Sequence, residues 1–165
     1  MKTVKFIVLS MLLSLAGGLA HSAGSDIYPD PGQAKTDLAT ALRTAAATHK
    51  RVLVDFGGNW CGDCQVLDIY FHDAKNLQLL ERNFVVVHIN VGHLDTNQNL
   101  ARQLEIPLEK GVPALAVLSE EGKLLYSQKN GEFEAMRRMD SSAVTAFLVQ
   151  WRPNRPGCSA VVVNC

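Results

Sequence analysis

The sequence carries no excess of charge of either sign. Its 165 residues include 16 lysines and arginines and 16 aspartates and glutamates, so the formal net charge is zero. Proteins that bind nucleic acid or an anionic membrane surface through their overall charge normally carry a clear positive excess. We therefore expect no nucleic-acid partner and no polybasic attachment to a membrane surface.

Cysteine is scarce, and the histidines lack the spacing of metal-binding motifs. The chain has four cysteines and five histidines, and His49, His72, His88 and His93 are scattered. Repeats and low-complexity tracts are also missing, while 47% of the residues are hydrophobic and 19% are charged, as in ordinary globular proteins. The length suits one domain with a substantial core, and we expect neither a metal nor a cofactor.

The N-terminal residues are typical of a secretory signal peptide. Two lysines precede an apolar stretch at 6–20, and small residues follow it. An uncleaved membrane anchor is the alternative, but a spanning helix needs about 20 apolar residues and this run is shorter. We expect residues 1–23 to be removed by cleavage after Ala20 or Ala23. The mature protein would then be periplasmic, with secretion as the alternative, and without stable membrane insertion.

Hydrophobic patterns predict an α/β domain over residues 24–152, followed by a C-terminal tail at 153–165. The predicted elements are a helix at 34–48, a strand at 51–56, a broken helix at 65–82, a strand at 84–90, a short helix near 100–104, strands at 114–118 and 123–127, and a final helix at 141–151 capped by Ser141. Strands separated by helices imply parallel crossovers, and the short link between the last two strands predicts a hairpin at an antiparallel edge. The expected fold is a mixed sheet of four to five strands with helices on both faces.

The stretch Trp60-Cys61-Gly62-Asp63-Cys64 lies where a strand ends and a helix begins. Free N–H groups and the helix dipole favour negative charge at that point, so a thiolate forms more readily at Cys61. A thiolate attacks a disulfide, and the second cysteine can then close a small disulfide ring. The residues therefore predict a redox centre. An inert disulfide and half of a zinc site are the alternatives.

Asp55 lies within the apolar strand that precedes the two cysteines. Burial disfavours a charged carboxylate, so Asp55 is a candidate acceptor of the proton that Cys64 must lose before it attacks. A hydrogen-bonded structural acid is the alternative. His88 on the next strand could neighbour Asp55 and tune it, although a packed or surface histidine is the more ordinary interpretation.

Two further cysteines, Cys158 and Cys165, lie close to the C-terminus. A disulfide persists in an exported protein, and a bridge between these two would stabilise the chain by roughly 2–3 kcal/mol in the entropy model. We expect a structural disulfide here. A second redox relay and a bond to another chain remain alternatives.

The order of these features resembles the thioredoxin superfamily. A strand at 52–56, the W-C-G-D-C motif, a strand at 84–90 and a Val-Pro pair before a further strand follow one another with the spacing of that family. The resemblance covers roughly 34–151 and implies a thioredoxin fold. The stretch 66–91 is also similar to exported thioredoxin-like domains, including the C-terminal domain of the bacterial transmembrane thiol:disulfide interchange reductase.

The resemblance implies roles for the redox residues. Cys61 corresponds to the attacking cysteine and Cys64 to the resolving cysteine. Asp55 corresponds to the buried acid that helps to move protons at the second cysteine. These three residues are therefore the candidate catalytic groups.

The resemblance also implies a surface that binds the substrate. Trp60 corresponds to the aromatic residue that shapes this surface, and Gly62 and Asp63 lie beside it. Pro113 corresponds to a proline with a cis peptide bond that packs against the dithiol. The backbone of Val112 would then pair with a bound segment of the partner.

The sequence departs from the family pattern at Gly57-Gly58, in an insertion-like stretch at 92–109, and at two charged or titratable positions. Asp63 stands where thioredoxins have proline, and His88 aligns with a lysine thought to partner the buried acid. The charge of Asp63 should repel a thiolate at Cys61 by about 0.3–1 kcal/mol. A less stable thiolate makes the reduced form less favoured, which points to a reductase rather than a strong oxidant.

The resemblance implies an enzyme, a thiol:disulfide oxidoreductase that exchanges disulfides with protein substrates and acts as a reductase. Its partners would be protein thiols and disulfides, and its electrons would come from a membrane-bound or exported donor protein. The competing interpretation is a non-catalytic thioredoxin-fold module that holds a protein partner. A metal chaperone is the third and weakest one.

Overall fold

The computed structural model describes residues 26–154. The predicted signal peptide at 1–23 and the predicted bridge between Cys158 and Cys165 lie outside the described residues and stay predictions. Within 26–154, no helix combines the length and apolar character that a membrane crossing requires.

Over the described residues, the chain forms five α-helices and four β-strands. They are α1 (Ala34–Thr48), β1 (Arg51–Gly57), α2 (Gly62–Phe71), α3 (Ala74–Asn83), β2 (Phe84–Asn90), α4 (Gln98–Gln103), β3 (Ala114–Leu118), β4 (Leu124–Ser127) and α5 (Ser141–Trp151). Short 3-10 helices lie at Pro31–Gln33, Leu108–Lys110 and Met136–Arg138. The predicted order of elements is confirmed.

The strands form one mixed sheet in the order β2-β1-β3-β4. β1 and β2 are parallel, whereas β3 runs antiparallel to both β1 and β4. β1 is a central strand, and every residue after Arg51 is buried in it. The register places Asp55 of β1 opposite His88 of β2, so the two polar residues meet in the middle of the sheet.

Helices cover both faces of the sheet, as expected. Because side chains alternate along a strand, neighbouring residues of β1 belong to different hydrophobic clusters. Val54 packs with residues of α1 and α4, while Leu53 packs with residues of α2, α3 and α5. Each fully buried leucine or valine of this kind stabilises the fold by about 1.5–3 kcal/mol, so β1 and the loop after it are held rigidly.

Several boundaries differ from the predicted ones. β1 extends to Gly57 rather than ending at 56, and α4 begins at Gln98 rather than near 100. The prediction that Ser141 caps α5 is wrong, because Asp140 holds the N-cap position and Ser141 is the first helical residue. The Ser141 hydroxyl contacts Asp73 and accepts a hydrogen bond from Asn76 Nδ2 instead. A tertiary contact has thus replaced the local cap.

Candidate active site

The dithiol lies at the start of α2, as the sequence predicts. Cys61 is the N-cap residue and has an extended backbone, and its sulfur accepts the Cys64 N–H at 3.1 Å. Cys61 and Cys64 form a disulfide with their Cα atoms 5.2 Å apart. The first sulfur therefore occupies the position where free amides of the helix end favour a negative charge.

The two sulfurs differ in access to solvent. Cys61 is 5% exposed and Cys64 is 0% exposed. The Cys61 sulfur lies 3.5 Å from the carbonyl oxygen of Val112, and the Val112–Pro113 peptide bond is cis. The fold thus brings Val112, and the cis bond to Pro113, to the dithiol, and Cys61 is the less deeply buried of the two cysteines.

Asp63 is paired with a residue that the sequence did not point to. Arg137, in the 3-10 helix Met136–Arg138, donates its backbone N–H to Asp63 Oδ1 at 2.8 Å and its Nε–H to Oδ2 at 3.0 Å. These hydrogen bonds to Arg137 lower the pKa of Asp63 below its ordinary value. The repulsion expected between Asp63 and a thiolate at Cys61 is therefore reduced, because the guanidinium of Arg137 compensates the Asp63 charge.

Trp60 forms a half-exposed platform next to the dithiol. It is 49% exposed, its indole N–H donates to the Gly92 carbonyl, and its ring stacks on His93 with centroids 5.3 Å apart. Gly62 is exposed, and a Cβ added there would meet only the Arg137 side chain, at 3.7 Å or more. This side of the site is open to a partner.

Asp55 is buried beneath the dithiol, and both of its hydrogen bonds reach the same oxygen. The Tyr28 hydroxyl donates to Oδ2 at 2.7 Å, and His88 Nδ1 lies 3.0 Å from that atom. The sequence offered this contact between His88 and Asp55 only as the less ordinary interpretation of His88, and the structure contains it. Among residues 26–154, Oδ1 of Asp55 is buried without a hydrogen-bond partner.

Burial and the neighbouring Asp55 together set the pKa values of His88 and Tyr28. Burial opposes the imidazolium of His88, but the hydrogen bond and charge of Asp55 outweigh it and raise the pKa of His88. Burial above all, with the Asp55 charge added, raises the pKa of Tyr28 far beyond its ordinary range. Tyr28 therefore stays protonated and remains a hydrogen-bond donor at any physiological pH.

Gly57, the last residue of β1, has no room for a side chain. A Cβ there would overlap the Tyr28 hydroxyl and lie 2.9 Å from the Cys64 sulfur. The Tyr28 phenol and the Cys64 sulfur thus both pack close to the Gly57 backbone. Sequence reasoning missed Tyr28 and Arg137, since neither the irregular lead-in before α1 nor the segment before α5 carries a motif that would place them at the dithiol.

The arrangement can perform thiol–disulfide exchange. It combines a surface sulfur at a helix N-terminus, a buried second sulfur and a buried carboxylate with one free oxygen. In the described part of the chain, no group of three or more His, Cys, Asp or Glu side chains is arranged to hold a metal ion.

Comparisons with known proteins point to the same chemistry. A family model described as thioredoxin-like matches residues 33–119. Thioredoxin of Pongo abelii is 31% identical over 117 residues, which make up 71% of this chain and 95% of that protein.

Two solved structures resemble this one. A disulphide isomerase of Xylella fastidiosa Temecula1 is 35% identical with a TM-score of 0.71, over 75% of this chain and 95% of that chain. The C-terminal domain of Neisseria meningitidis DsbD in its reduced form is 22% identical with a TM-score of 0.52, over 72% of this chain and 96% of that chain, and shows the fold alone. The chain belongs to the thioredoxin-like family, and its Cys61–Cys64 pair supports a general role in thiol–disulfide exchange.

Proposed function

We propose that the protein is a thiol:disulfide oxidoreductase that reduces disulfides in protein partners. The Cys61 thiolate attacks a partner disulfide, forms a mixed disulfide and releases one partner sulfur as a thiolate. Cys64 then loses its proton and attacks Cys61 Sγ, the bond from Cys61 to the partner breaks, and the second partner sulfur leaves with the electron pair. The partner gains two electrons, and the enzyme ends as the Cys61–Cys64 disulfide.

Asp55 would accept the Cys64 proton in the second half of this cycle. A buried thiol needs a base nearby, because solvent cannot take its proton directly. Asp55 has a free oxygen, Oδ1, and lies on the strand that ends against the Cys64 sulfur at Gly57. The observation that carries the proposal is this asymmetry, in which a sulfur at a helix N-terminus beside the exposed Trp60 is joined to a fully buried sulfur.

The electrostatics of Cys61 favour the reducing direction. The Asp63 charge is compensated by Arg137, and the Val112 carbonyl oxygen faces the sulfur at 3.5 Å. The helix N-terminus stabilises the thiolate, but the carbonyl oxygen opposes it. A thiolate that is only modestly stabilised leaves the oxidised form comparatively favoured, so the dithiol gives up its electrons readily.

The partner would bind over Trp60, Gly62, Asp63 and Val112. Trp60 offers an exposed aromatic face, and the backbone of Val112 beside the cis bond to Pro113 lies next to the attacking sulfur. An extended partner segment could pair with that backbone, as exposed strand edges do in peptide recognition. Protein disulfides, rather than small disulfides alone, are therefore the proposed substrates.

Disulfide isomerisation is the second candidate function. It is favoured by the solved structure at 35% identity, which is named a disulphide isomerase. An isomerase needs the same first attack by Cys61, but the partner resolves the mixed disulfide with its own thiol. Fast closure by Cys64 favours reduction over isomerisation.

We also propose that the protein works outside the cytosol, in the periplasm, and receives electrons from a membrane-bound or exported donor protein. The N-terminal sequence, with its two lysines and apolar stretch at 6–20, supports export. Mass spectrometry of protein recovered from the periplasmic fraction would show a chain starting near residue 21 or 24. A full-length chain found in the cytosol would contradict the proposal.

Reduction of insulin by the wild type and by the Cys61→Ser and Cys64→Ser variants tests the proposed activity. We expect turnover with dithiothreitol for the wild type only, and a stable mixed disulfide for Cys64→Ser. Recovery of scrambled ribonuclease by Cys64→Ser at wild-type rates would favour the isomerase instead. Partner binding by Cys61→Ser without any wild-type turnover would favour a non-catalytic binding module.

A further inference from the structure

Tyr28 reaches the dithiol from outside the sheet and its helices. It lies in the irregular segment before α1, yet it is 1% exposed. Its hydroxyl donates to Asp55 Oδ2 at 2.7 Å. Burying a tyrosine hydroxyl costs free energy unless the hydroxyl is hydrogen-bonded. The bond to Asp55 therefore holds the Tyr28 side chain in its buried position.

The backbone around Tyr28 is fastened to the loop that carries the dithiol. Tyr28 N–H donates to Asn59 Oδ1 at 3.0 Å, and Asn59 Nδ2 donates back to the Tyr28 carbonyl at 2.9 Å. The ring meets His88 edge-on, with centroids 5.4 Å apart. These contacts fix the phenol in one position relative to Asp55 and to the loop that leads into Cys61 and Cys64.

The position of the hydroxyl decides which carboxylate oxygen is free. Tyr28 and His88 both engage Oδ2 of Asp55, and within residues 26–154 no group bonds to Oδ1. The phenol also lies against the Cys64 sulfur, because a Cβ on Gly57 would collide with both. One rigid group therefore contacts the acid and borders the resolving sulfur.

We propose that Tyr28 is a positioning residue for the resolving step, in which its hydroxyl holds the Asp55 carboxylate by Oδ2 so that Oδ1 accepts the Cys64 proton. This inference rests on the proposed function. The proton moves from Cys64 Sγ to Asp55 Oδ1, the bond between Cys64 Sγ and Cys61 Sγ forms, and the bond from Cys61 to the partner breaks. The partner sulfur leaves as a thiolate with the electron pair of that bond.

Several titratable groups surround this carboxylate. Tyr28 contacts it from the lead-in and His88 from β2, and the Asp68 carboxylate of α2 acts on both of them. The Cys64 sulfur of α2 lies on the same side of Gly57 as the Tyr28 hydroxyl. Tyr28 keeps its proton at every pH of interest. Its removal therefore changes the hydrogen bonding of Asp55 without removing a charge.

Single-turnover reduction of the disulfide reagent DTNB separates the two chemical steps. The first thionitrobenzoate released by the reduced enzyme reports the attack by Cys61, and the second reports the attack by Cys64. Both rates are measured against pH for the wild type, Tyr28→Phe, Asp55→Asn and the double variant. Tyr70→Phe is the matched control, because it also deletes a tyrosine hydroxyl that donates a hydrogen bond. The acceptor there is the Met139 carbonyl, at 2.9 Å.

We expect Tyr28→Phe to move the midpoint of the second phase upward by about one pH unit, the size expected for losing one hydrogen bond to a charged group. Without the Tyr28 hydroxyl the carboxylate is no longer held by Oδ2, so Oδ1 is less well placed to accept the Cys64 proton. The first phase should keep its midpoint, Tyr70→Phe should leave both phases unchanged, and Tyr28→Phe should add nothing in the Asp55→Asn background.

An unchanged second-phase midpoint in Tyr28→Phe would overturn the inference, as would an additive effect in the double variant. Equal shifts in both phases would overturn it too, because they would indicate general loosening of the site. A wild type that releases only one equivalent would overturn the proposed function itself, and the role of Tyr28 with it.

Discussion

The two sulfurs of the dithiol lie in opposite surroundings although they are joined by one bond. Cys61 borders an open surface made by Trp60, Gly62 and the pair that the partly buried Asp63 forms with the exposed Arg137. Cys64 is buried against Gly57, below which Tyr28, Asp55 and His88 form a hydrogen-bonded cluster. We call these the open side and the closed side.

The difference shows how one motif can serve two steps with different demands. The open side must accept varied partners, and its charges are screened by solvent, so individual residues there contribute little energy. The closed side handles a proton in a medium where an unpaired charge costs several kcal/mol. Substitutions should therefore have larger effects on the closed side than on the open side.

The largest effect is expected for Asp55→Asn. Loss of the proton acceptor should slow the attack by Cys64 about 100-fold, the lower range for removal of a general base, and leave the attack by Cys61 nearly unchanged. Stopped-flow measurement of both phases of thiol release checks this. Equal slowing of both phases would remove the distinction between the two sides.

The next effect compares two glycines, Gly57 on the closed side and Gly62, which lies within the motif, on the open side. Gly57→Ala should lower the free energy of unfolding by about 1–3 kcal/mol, as overpacking does, because the new Cβ collides with Tyr28 and Cys64. Gly62→Ala has room for its Cβ and should be neutral. Urea unfolding of the oxidised proteins measures both, and similar losses at the two glycines would contradict the packing argument.

Much of the open side could be predicted from the sequence, whereas the closed side could be predicted only in part. The Cys61–Cys64 spacing, the apolar run of β1 and the order of strands depend on local patterns, and these were confirmed. The Asp55–His88 contact was only the less ordinary interpretation of His88, because the sequence does not fix the register that sets the two residues opposite each other.

The remaining residues of the site could not be found in this way. Tyr28 and Arg137 come from irregular segments, whose paths depend on tertiary hydrogen bonds such as those of Asn59 and Asp63. No periodicity encodes such paths, so the sequence offered no signal beyond the residue types. The compensation of the Asp63 charge by Arg137 was missed for the same reason.

A smaller effect is expected at His88, and it should depend on pH. The pKa of His88 is raised in the folded protein by Asp55 against the effect of burial, so its charged form stabilises the fold below about pH 6.5, the unfolded value. That stabilisation is lost as the pH rises through the folded pKa. His88→Gln keeps a neutral donor and removes only the charge.

The expected loss of stability in His88→Gln is about 1.5 kcal/mol near pH 6, the lower end for a hydrogen bond to a charged group, and it should fall toward zero near pH 9. Urea unfolding at a series of pH values checks this, with His72→Gln on the surface of α2 as the control. A loss that stays constant with pH would mean that His88 acts through packing and not through its charge.

The smallest effect is expected for the pair of Asp63 and Arg137 on the open side. Arg137→Gln exposes the Asp63 charge and should raise the midpoint pH of the Cys61 attack by about 0.2–0.5 unit, while Asp63→Asn leaves the guanidinium uncompensated and should lower it by a similar amount. The double variant should return to the wild-type midpoint, since it removes both charges. High salt should shrink both single shifts, because the Arg137 side chain faces solvent and mobile ions screen the pair there. A double variant that keeps either shift would show that the pair acts on Cys61 through the shape of the loop, and the open side would then resemble the closed side in depending on fixed geometry.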